Sequence, residues 1–299
     1  MVASSLLDFD VVDVFADQPY SGNQLAVVHG TAGLSTGQLQ AIAAEFNFSE
    51  TAFPEPIDAS SYRLRIFTPG TELPFAGHPT VGAASTLNRR GQLAAGAVVQ
   101  HCRIGAVRVD VDDAGAELSV APRQLSGSVD ANQLLESMGL TPRDLARPAR
   151  LASCGLAFVY VPVHADRVAA ARPLSAGRLS VDVAHEDPLG GVCVYALEPQ
   201  GAEAAAQVHA RVFCPEVGVP EDPATGSAAA GLGLVLVADG LAAADAVTGY
   251  RVRQGIERGR PSLLLGRVDA HGGRVEQVCV AGAVHPVASG TLRTPPADP

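Results

Sequence analysis

Lysine is absent from this 299-residue chain, and all 21 of its basic residues are arginine. Enzymes that hold pyridoxal phosphate or a ketone as a Schiff base need a lysine amine, so both chemistries are excluded. A Walker A phosphate loop is excluded for the same reason. No GxGxxG sequence follows a predicted strand, so a dinucleotide-binding fold lacks support. We therefore expect chemistry carried by side chains alone, with no cofactor.

Tryptophan, clusters of basic residues and long apolar runs are also missing. The net charge of −10 argues against nucleic acid or an anionic membrane surface as a partner. The longest apolar runs, such as Ala228–Ala238, are too short to span a bilayer. The first residues lack the basic start of a signal peptide. We expect a cytoplasmic protein that binds neither nucleic acid nor membrane.

The cysteines lie far apart and form no CxxC pair. They are Cys102, Cys154, Cys193, Cys214 and Cys279. An odd number at this spacing predicts reduced, mostly buried thiols and gives no zinc site. The cluster His185-Glu186-Asp187 is the one alternative metal site, and the prediction is that no metal binds.

Two segments of the chain, Arg65–Ala84 and Arg211–Gly233, resemble each other. The matched residues are Arg65 with Arg211, Phe67 with Phe213, Pro69 with Pro215 and Pro74 with Pro220. All four pairs are 146 positions apart, close to half of the chain, which indicates two related halves. Coincidence in a chain rich in alanine and glycine is the alternative. Each segment continues through a small-residue turn, with two extra residues in the second copy, into an apolar helix.

Those two turns, AGHPT and ATGSA, suit an anion. The first N–H groups of a helix have no partner within it, and small residues allow a ligand to approach them. Pro79 fits the first helical position, and Ser227 fits the N-cap or first turn. Two such helix starts facing each other would form a cleft for a small carboxylate. The alternative is a pair of ordinary strand–turn–helix connections.

Strands are many and no long helix is predicted. Outside the two copies we predict helices at Thr36–Glu45, capped by Thr36, and near Asn132–Met138. Strands Val275–Val280 and Val284–Leu292 close the chain. This pattern predicts an α+β fold of two similar lobes, each a mixed or antiparallel barrel-like sheet around one central helix.

The expected domain boundaries follow from the same elements. Residues 1–122 form the N-terminal lobe, joined by a C-terminal strand at about 284–299. Residues 123–283 form the C-terminal lobe. The active site is expected in the cleft between them.

Four polar residues near the turns are candidates for chemistry. Glu50 is flanked by phenylalanines, which favour a raised pKa and a role as base, although a surface turn would also explain it. His78 suits a proton shuttle or a helix cap. Asp222 suits a site acid or an Asp-Pro turn. Ser227 suits a carboxylate donor, whereas a hydrolase nucleophile lacks the GxSxG context.

The blocks that carry these residues resemble a known family. They are Ser21-Gly22-Asn23, Asn47-Phe48-Ser49-Glu50-Thr51, Leu73-Pro74-Phe75-Ala76-Gly77-His78-Pro79-Thr80 and Glu221-Asp222-Pro223-Ala224-Thr225-Gly226-Ser227. Their sequence and order are similar to those of the PhzF family, the phenazine-biosynthesis isomerases. The resemblance implies a diaminopimelate-epimerase-like fold and a cofactor-free isomerase, commonly a homodimer.

The resemblance also implies roles for individual residues. Glu50 corresponds to the catalytic acid/base, with His78 and Asp222 as catalytic companions. Gly77, Gly226 and Ser227 correspond to residues that bind the substrate carboxylate. The expected reaction moves a proton and a double bond in a small, unsaturated amino-substituted acid, as in antibiotic biosynthesis. A racemase or epimerase of the same fold, or a non-catalytic binding protein, are the alternatives.

Overall fold

The computed structural model describes residues 6–175, 177, 179, 186–198 and 205–297. The strands in these residues are β1 Leu6–Val14, β2 Asn23–Val28, β3 Glu50–Asp58, β4 Ser61–Phe67, β5 Glu72–Leu73, β6 Gly96–Cys102, β7 Gly105–Val111, β8 Gly115–Val120, β9 Gln124–Val129, β10 Ala149–Ser153, β11 Ala157–Pro162, β12 Leu189–Leu197, β13 Ala206–Cys214, β14 Val219–Asp222, β15 Ala246–Gln254, β16 Ser262–His271 and β17 Arg274–Arg293. The α-helices are α1 Thr36–Phe46, α2 Gly77–Arg89, α3 Asn132–Ser137 and α4 Gly226–Ala238.

The chain forms two compact units. The first consists of Met1–Leu118 and Ala281–Pro299, and the second of Ser119–Val280. The last strand, β17, begins in the second unit and ends in the first. Its final residues, from Val284 onward, pair antiparallel with β1 of the first unit.

In the first unit, β1 pairs antiparallel with β2, and β2 runs parallel to β3. Strand β3 pairs antiparallel with β4, which runs parallel to β6. The short β5 adds to β4, and β6 pairs antiparallel with β7. Helix α2 connects β5 to β6, as expected for a crossover between parallel strands.

The second unit repeats this order of pairings. Strand β10 pairs antiparallel with β11, and β11 runs parallel to β12. Strand β12 pairs antiparallel with β13, which runs parallel to β15 and accepts the short β14. Helix α4 connects β14 to β15, and β15 pairs antiparallel with β16. The predicted internal repeat is therefore a repeat of topology, and the α+β class with two similar units is confirmed.

Helix α2 forms the centre of the first unit. Its residues from Gly77 to Leu87 are all buried, and it packs against β1, β2, β3 and β7. A Cβ added to Gly82 would lie 2.5 Å from the side chain of Leu25 and 2.8 Å from that of Val14. Glycine at this position thus allows the helix to approach β1 and β2 closely.

Helix α4 forms the centre of the second unit and is apolar on every side. A helix of this kind belongs in a core, and each of its residues except the last is buried. The hydroxyl groups of Tyr160 and Tyr250 donate hydrogen bonds of 2.8 Å to the carbonyl oxygens of Ala228 and Ala229. A side chain at Gly231 would collide with the Tyr160 hydroxyl, so glycine makes room for this contact.

The start of α1 corrects one prediction. Ser35, rather than Thr36, is the N-cap. Its hydroxyl accepts a hydrogen bond from the backbone N–H of Gln38, whose side chain accepts one from the backbone N–H of Ser35. This reciprocal pair is a capping box. The N-cap is therefore one residue earlier than predicted, while the helix begins at Thr36 as predicted.

Both predicted C-terminal strands, Val275–Val280 and Val284–Leu292, are confirmed as strand. The break between them is not present, because the intervening glycine and alanines remain extended and the two form one continuous strand, β17. Strand β3 was not predicted, because Pro54 and Pro56 lie within it and proline is rare in strand interiors.

Candidate active site

Glu50 is the first residue of β3, where that strand runs parallel to β2 with Leu25 as its partner. Its side chain is 15% exposed, and Oε2 has no hydrogen-bond partner among the described residues. Burial raises the pKa of Glu50 to about 7, because a carboxylate is costly to keep away from water. The neighbouring Ser49 side chain acts in the opposite direction and lowers this pKa. The carboxyl group is therefore suited to take up and release a proton near neutral pH.

His78 is the second residue of α2 and is buried beside Glu50. Its Nδ1 atom lies 3.6 Å from Oε2 of Glu50 and 3.3 Å from Nδ2 of Asn23. The Oδ1 atom of Asn23 accepts a hydrogen bond of 3.1 Å from Ser49. The structure thus brings together two predicted site residues and adds Asn23, which the sequence marked only as part of a family block.

The position of Asn23 depends on the glycine before it. Gly22 has a φ of +67°, a conformation that glycine adopts without strain. A Cβ at this position would collide with the carbonyl oxygen of Val14. The close approach places Asn23 at the start of β2, directly opposite Val14 in β1. A Gly-Asn pair at a strand start was the available sequence signal.

Helix α2 begins at Gly77 with no side-chain cap. Its N-cap is Ala76, whose methyl group cannot accept a hydrogen bond. Pro79 is the third helical residue, rather than the first as predicted, and has no N–H to donate. The first turn therefore presents the backbone amides of Gly77 and His78, in a setting that favours an anion.

In the second unit, Asp222 ends β14 and is buried. Its Oδ2 atom accepts a hydrogen bond of 2.6 Å from the hydroxyl of Thr225. The buried side chain of Gln254 donates to the carbonyl oxygen of Asp222 at 2.7 Å and to Thr225 Oγ1 at 3.0 Å. Sequence reasoning missed both partners, and nothing local marks Gln254, which lies 32 residues further on.

Helix α4 also begins without a side-chain cap. Thr225 is the N-cap, but its hydroxyl donates to Asp222 instead of accepting from the helix. Gly226 is the first helical residue and Ser227 the second, so Ser227 occupies the predicted first-turn position. As in α2, the amides of the first turn are not satisfied by a capping side chain.

The contacts of Arg65 recur at Arg211 within the second unit. Each guanidinium lies 5.1 Å from the ring centre of the phenylalanine two residues later. Each also donates two hydrogen bonds of 2.8–2.9 Å to one glutamate, Glu72 or Glu221. The arginines are 146 positions apart, whereas the glutamates are 149 apart. Three residues are therefore inserted between the arginine and the glutamate in the second copy.

This insertion corrects the sequence alignment of the two turns. The matched positions become Pro74 with Pro223, Ala76 with Thr225, Gly77 with Gly226 and His78 with Ser227. The sequence alone had matched Pro74 with Pro220 and counted two extra residues.

The described residues contain no cluster of three or more His, Cys, Asp or Glu side chains able to hold a metal ion. Of the polar cluster considered as a metal site, His185 lies outside the described residues, and Asp187 pairs with Arg123 at 2.8 Å.

Burial raises the pKa values of Cys154 and Cys193 to about 12, so both remain thiols at neutral pH. No helix in the described part of the chain is long and apolar enough to cross a membrane.

The fold is that of the PhzF-type isomerases. It superimposes with a TM-score of 0.79 on a PhzF family phenazine biosynthesis protein of Bacillus anthracis, covering 96% of this chain and 99% of that one at 23% identity. The family model for phenazine biosynthesis-like proteins matches residues 12–290. The chain belongs to this PhzC–PhzF family.

Relatives within the family are isomerases. An uncharacterised isomerase of Mesorhizobium japonicum is 37% identical, covering 94% of this chain and 96% of its own. The trans-2,3-dihydro-3-hydroxyanthranilate isomerase of Pseudomonas aeruginosa is 33% identical, covering 91% of this chain and 94% of its own. The protein is therefore an enzyme of the isomerase class.

Proposed function

We propose that this isomerase moves a proton, and with it a double bond, within a small unsaturated carboxylic acid that carries an amino group. The observation that carries the proposal is the Glu50 carboxyl group. It is buried beside His78, its pKa is about 7, and its Oε2 has no hydrogen-bond partner among the described residues. Such a group can accept a carbon-bound proton at neutral pH and give it back.

The substrate class is inferred from the relatives. The name trans-2,3-dihydro-3-hydroxyanthranilate specifies an unsaturated ring with a carboxylate, an amine and a hydroxyl group. We propose a substrate with the same kinds of group, which fits the biosynthesis of an antibiotic or another secondary metabolite.

The reaction needs one base, and the substrate and the product contain the same atoms. Glu50 removes a proton from a carbon beside the conjugated double bonds, and the electron pair moves along the conjugated system. Protonated Glu50 then delivers the proton to another carbon, which regenerates the carboxylate. The substrate's own double bonds accept the electron pair, so the proposal includes no cofactor. His78 lies 3.6 Å from Glu50 and stabilises its protonated form between the two transfers.

Other residues are proposed to hold the substrate. The backbone amides of Gly77 and Gly226, with the hydroxyl of Ser227, bind the carboxylate, because helix starts favour an anion. Amides aimed at this group also stabilise negative charge that builds on it during the reaction. Asp222 binds the amino or hydroxyl group and completes the catalytic set with Glu50 and His78.

The repeat favours one base over the two that a racemase or epimerase of this fold would use. Strand β12 is the counterpart of β3. Phe67 pairs with Thr51 in the first unit, and its counterpart Phe213 pairs with Val192 in the second. Gly191 therefore occupies the position at which β3 begins with Glu50. The first unit thus supplies a carboxyl group at a position that is glycine in the second. This asymmetry supports proton transfer by Glu50 alone.

Two further properties are proposed from the resemblance to the family. We expect a homodimer located in the cytoplasm. Light scattering on the purified protein measures the mass directly, and a mass of about 31 kDa rather than twice that value would contradict the dimer.

The test is the Glu50→Gln variant, assayed with trans-2,3-dihydro-3-hydroxyanthranilate. Glutamine keeps the shape of the side chain but cannot accept a proton, so turnover should fall by about 10²–10⁴-fold while binding remains. Glu45→Gln, an exposed position on α1, is the matched control and should keep full activity. Wild-type turnover in heavy water should place deuterium at carbon in the product. Full activity of Glu50→Gln would remove Glu50 from its proposed role.

A further inference from the structure

We infer that Asn23 is a positioning residue that holds His78 as the neutral tautomer with its proton on Nε2, so that the lone pair of Nδ1 faces Glu50. The inference rests on the proposed function of Glu50 and deepens it. It assigns the hydrogen-bonding state in which a buried glutamate and a buried histidine can lie side by side without forming an ion pair.

The orientation of the Asn23 amide carries the inference. Its Oδ1 atom accepts the hydrogen bond from Ser49, which leaves the NH₂ group facing Nδ1 of His78 at 3.3 Å. An amide NH₂ group only donates, so Nδ1 must be the acceptor. A neutral imidazole that accepts at Nδ1 carries its proton on Nε2. Asn23 and His78 are 2% and 3% exposed, so water does not compete for this bond.

The same nitrogen atom also faces the proposed base. Nδ1 of His78 lies 3.6 Å from Oε2 of Glu50. When Glu50 carries a proton, its O–H group can share this lone pair with the Asn23 amide as a second, weaker donor. When Glu50 is ionised, two electron-rich atoms face each other. The tautomer therefore favours the protonated form of Glu50 and makes the ionised form a stronger base.

A protonated Nδ1 would have the opposite effect. An imidazolium beside the carboxylate would form an ion pair and would lower the pKa of Glu50 by about 1–3 units, which weakens the base. Among the described residues, His78 is the basic group within 4 Å of the Glu50 carboxyl, while Ser49 and Asn23 are neutral. The contact with Asn23 favours the neutral form of His78 and so the first of these two effects.

Nitrogen-15 NMR of histidine-labelled protein at pH 7 tests the tautomer without any substrate. The chemical shifts of Nδ1 and Nε2 distinguish the two neutral tautomers and the imidazolium, and His78→Gln identifies the signals of His78. We expect the form protonated on Nε2 alone. A proton on Nδ1, in either the other tautomer or the imidazolium, would overturn the inference.

Variants of Asn23 and Ser49 test whether Asn23 sets the tautomer of His78. In Asn23→Asp both side-chain oxygens accept, so a proton should move to Nδ1 of His78. The new carboxylate also acts on Glu50 directly, so the nitrogen-15 signal of Nδ1–H is the measurement used for this variant. Since Asn23 is buried and this variant risks misfolding, Ser49→Ala provides a second test. It removes the hydroxyl that orients the amide, and a signal for Nδ1–H should appear. A His78 tautomer unchanged in every variant that folds would contradict the role of Asn23.

A control variant accompanies these tests, and their outcomes distinguish a failure of this inference from a failure of the proposed function. Asn88→Asp changes the same type of residue at the far end of α2, where its Nδ2 donates to the carbonyl oxygen of Leu93. It should leave the tautomer of His78 unaltered. Full turnover by Glu50→Gln would refute the proposed base while the NMR result stands, and an Nδ1–H signal would refute the inference while the base stands.

Discussion

The Nδ1 atom of His78 lies 3.6 Å from Oε2 of Glu50, although the two residues belong to different elements and are 28 positions apart. This distance is too long for a strong hydrogen bond, yet in a buried setting it lets the charge on one group affect the other. Titratable pairs of this kind cluster at functional sites. The proposed mechanism therefore depends on where the proton resides between them.

The activity should fall as the pH drops below about 7. Glu50 must be ionised to accept a proton, and its pKa is raised to about 7 by burial. Below that pH, kcat/KM is expected to decrease about tenfold per unit. The profile between pH 5 and 9 measures this, with Glu45→Gln expected to superimpose on the wild type. An acidic limb centred near 4.5, the ordinary value for glutamate, would contradict the assignment.

Glu50 should also make the folded state less stable as the pH rises. Its pKa is about 7 in the folded protein against an ordinary value of 4.5, so between these values the folded state binds more protons than the unfolded state. The stabilising contribution is complete below about 4.5 and lost as the pH rises through 7. The loss amounts to about 3 kcal/mol.

The Glu50→Gln variant isolates this effect, because glutamine does not ionise. Relative to the wild type, its free energy of unfolding should rise by about 3 kcal/mol between pH 4.5 and pH 8. Urea unfolding at three pH values measures the difference. Glu45→Gln, at an exposed position, should show almost none. A difference for Glu50→Gln that does not change with pH would mean that its carboxyl titrates normally.

The two arginines of the repeat should differ in importance for stability. The side chains of Arg211 and Glu221 are 7% and 5% exposed, whereas that of Arg65 is 35% exposed. Arg211→Met would leave Glu221 buried without its partner and should cost about 3–5 kcal/mol. Arg65→Met should cost about 1 kcal/mol or less. Thermal and urea unfolding measure the loss of stability in each variant. Equal losses would show that burial of the ion pair does not determine its contribution to stability.

Removing the hydroxyl of Thr225 should impair substrate binding, while the free energy of unfolding changes little. The group donates a hydrogen bond of 2.6 Å to Asp222, which is proposed to hold the substrate's amino or hydroxyl group. Thr225→Val should lower stability by about 1 kcal/mol and raise KM, because Asp222 is freed to turn. Thr248→Val, which loses a hydrogen bond from the backbone of Ala243, is the control. An unchanged KM would argue that Asp222 does not contact substrate.

Local sequence patterns predicted much of the molecule. The repeated arginine and phenylalanine residues indicated two related halves, and the apolar segments indicated the buried helices α2 and α4. The glycines that begin these helices, Gly77 and Gly226, were correctly placed at turns. Patterns of this kind are readable because helix starts and apolar segments depend on neighbouring residues.

The partners of the candidate site residues were harder to predict. Asn23, Thr225 and Gln254 contact His78 or Asp222 in the folded protein, but Asn23 and Gln254 come from distant strands. The three-residue insertion before Glu221 was also missed. It became visible only because both glutamates form the same ion pair with the arginine of their own unit.

The sequence by itself determined the absence of lysine chemistry, the internal repeat, and the motifs around Glu50, His78 and Asp222. The tertiary structure decided the pKa of Glu50 and the hydrogen-bonding state of its neighbours. The physical reason is that burial and electrostatic contacts depend on everything around a group in space. A motif specifies a carboxyl group, and the surrounding strands and helix determine when that group carries a proton.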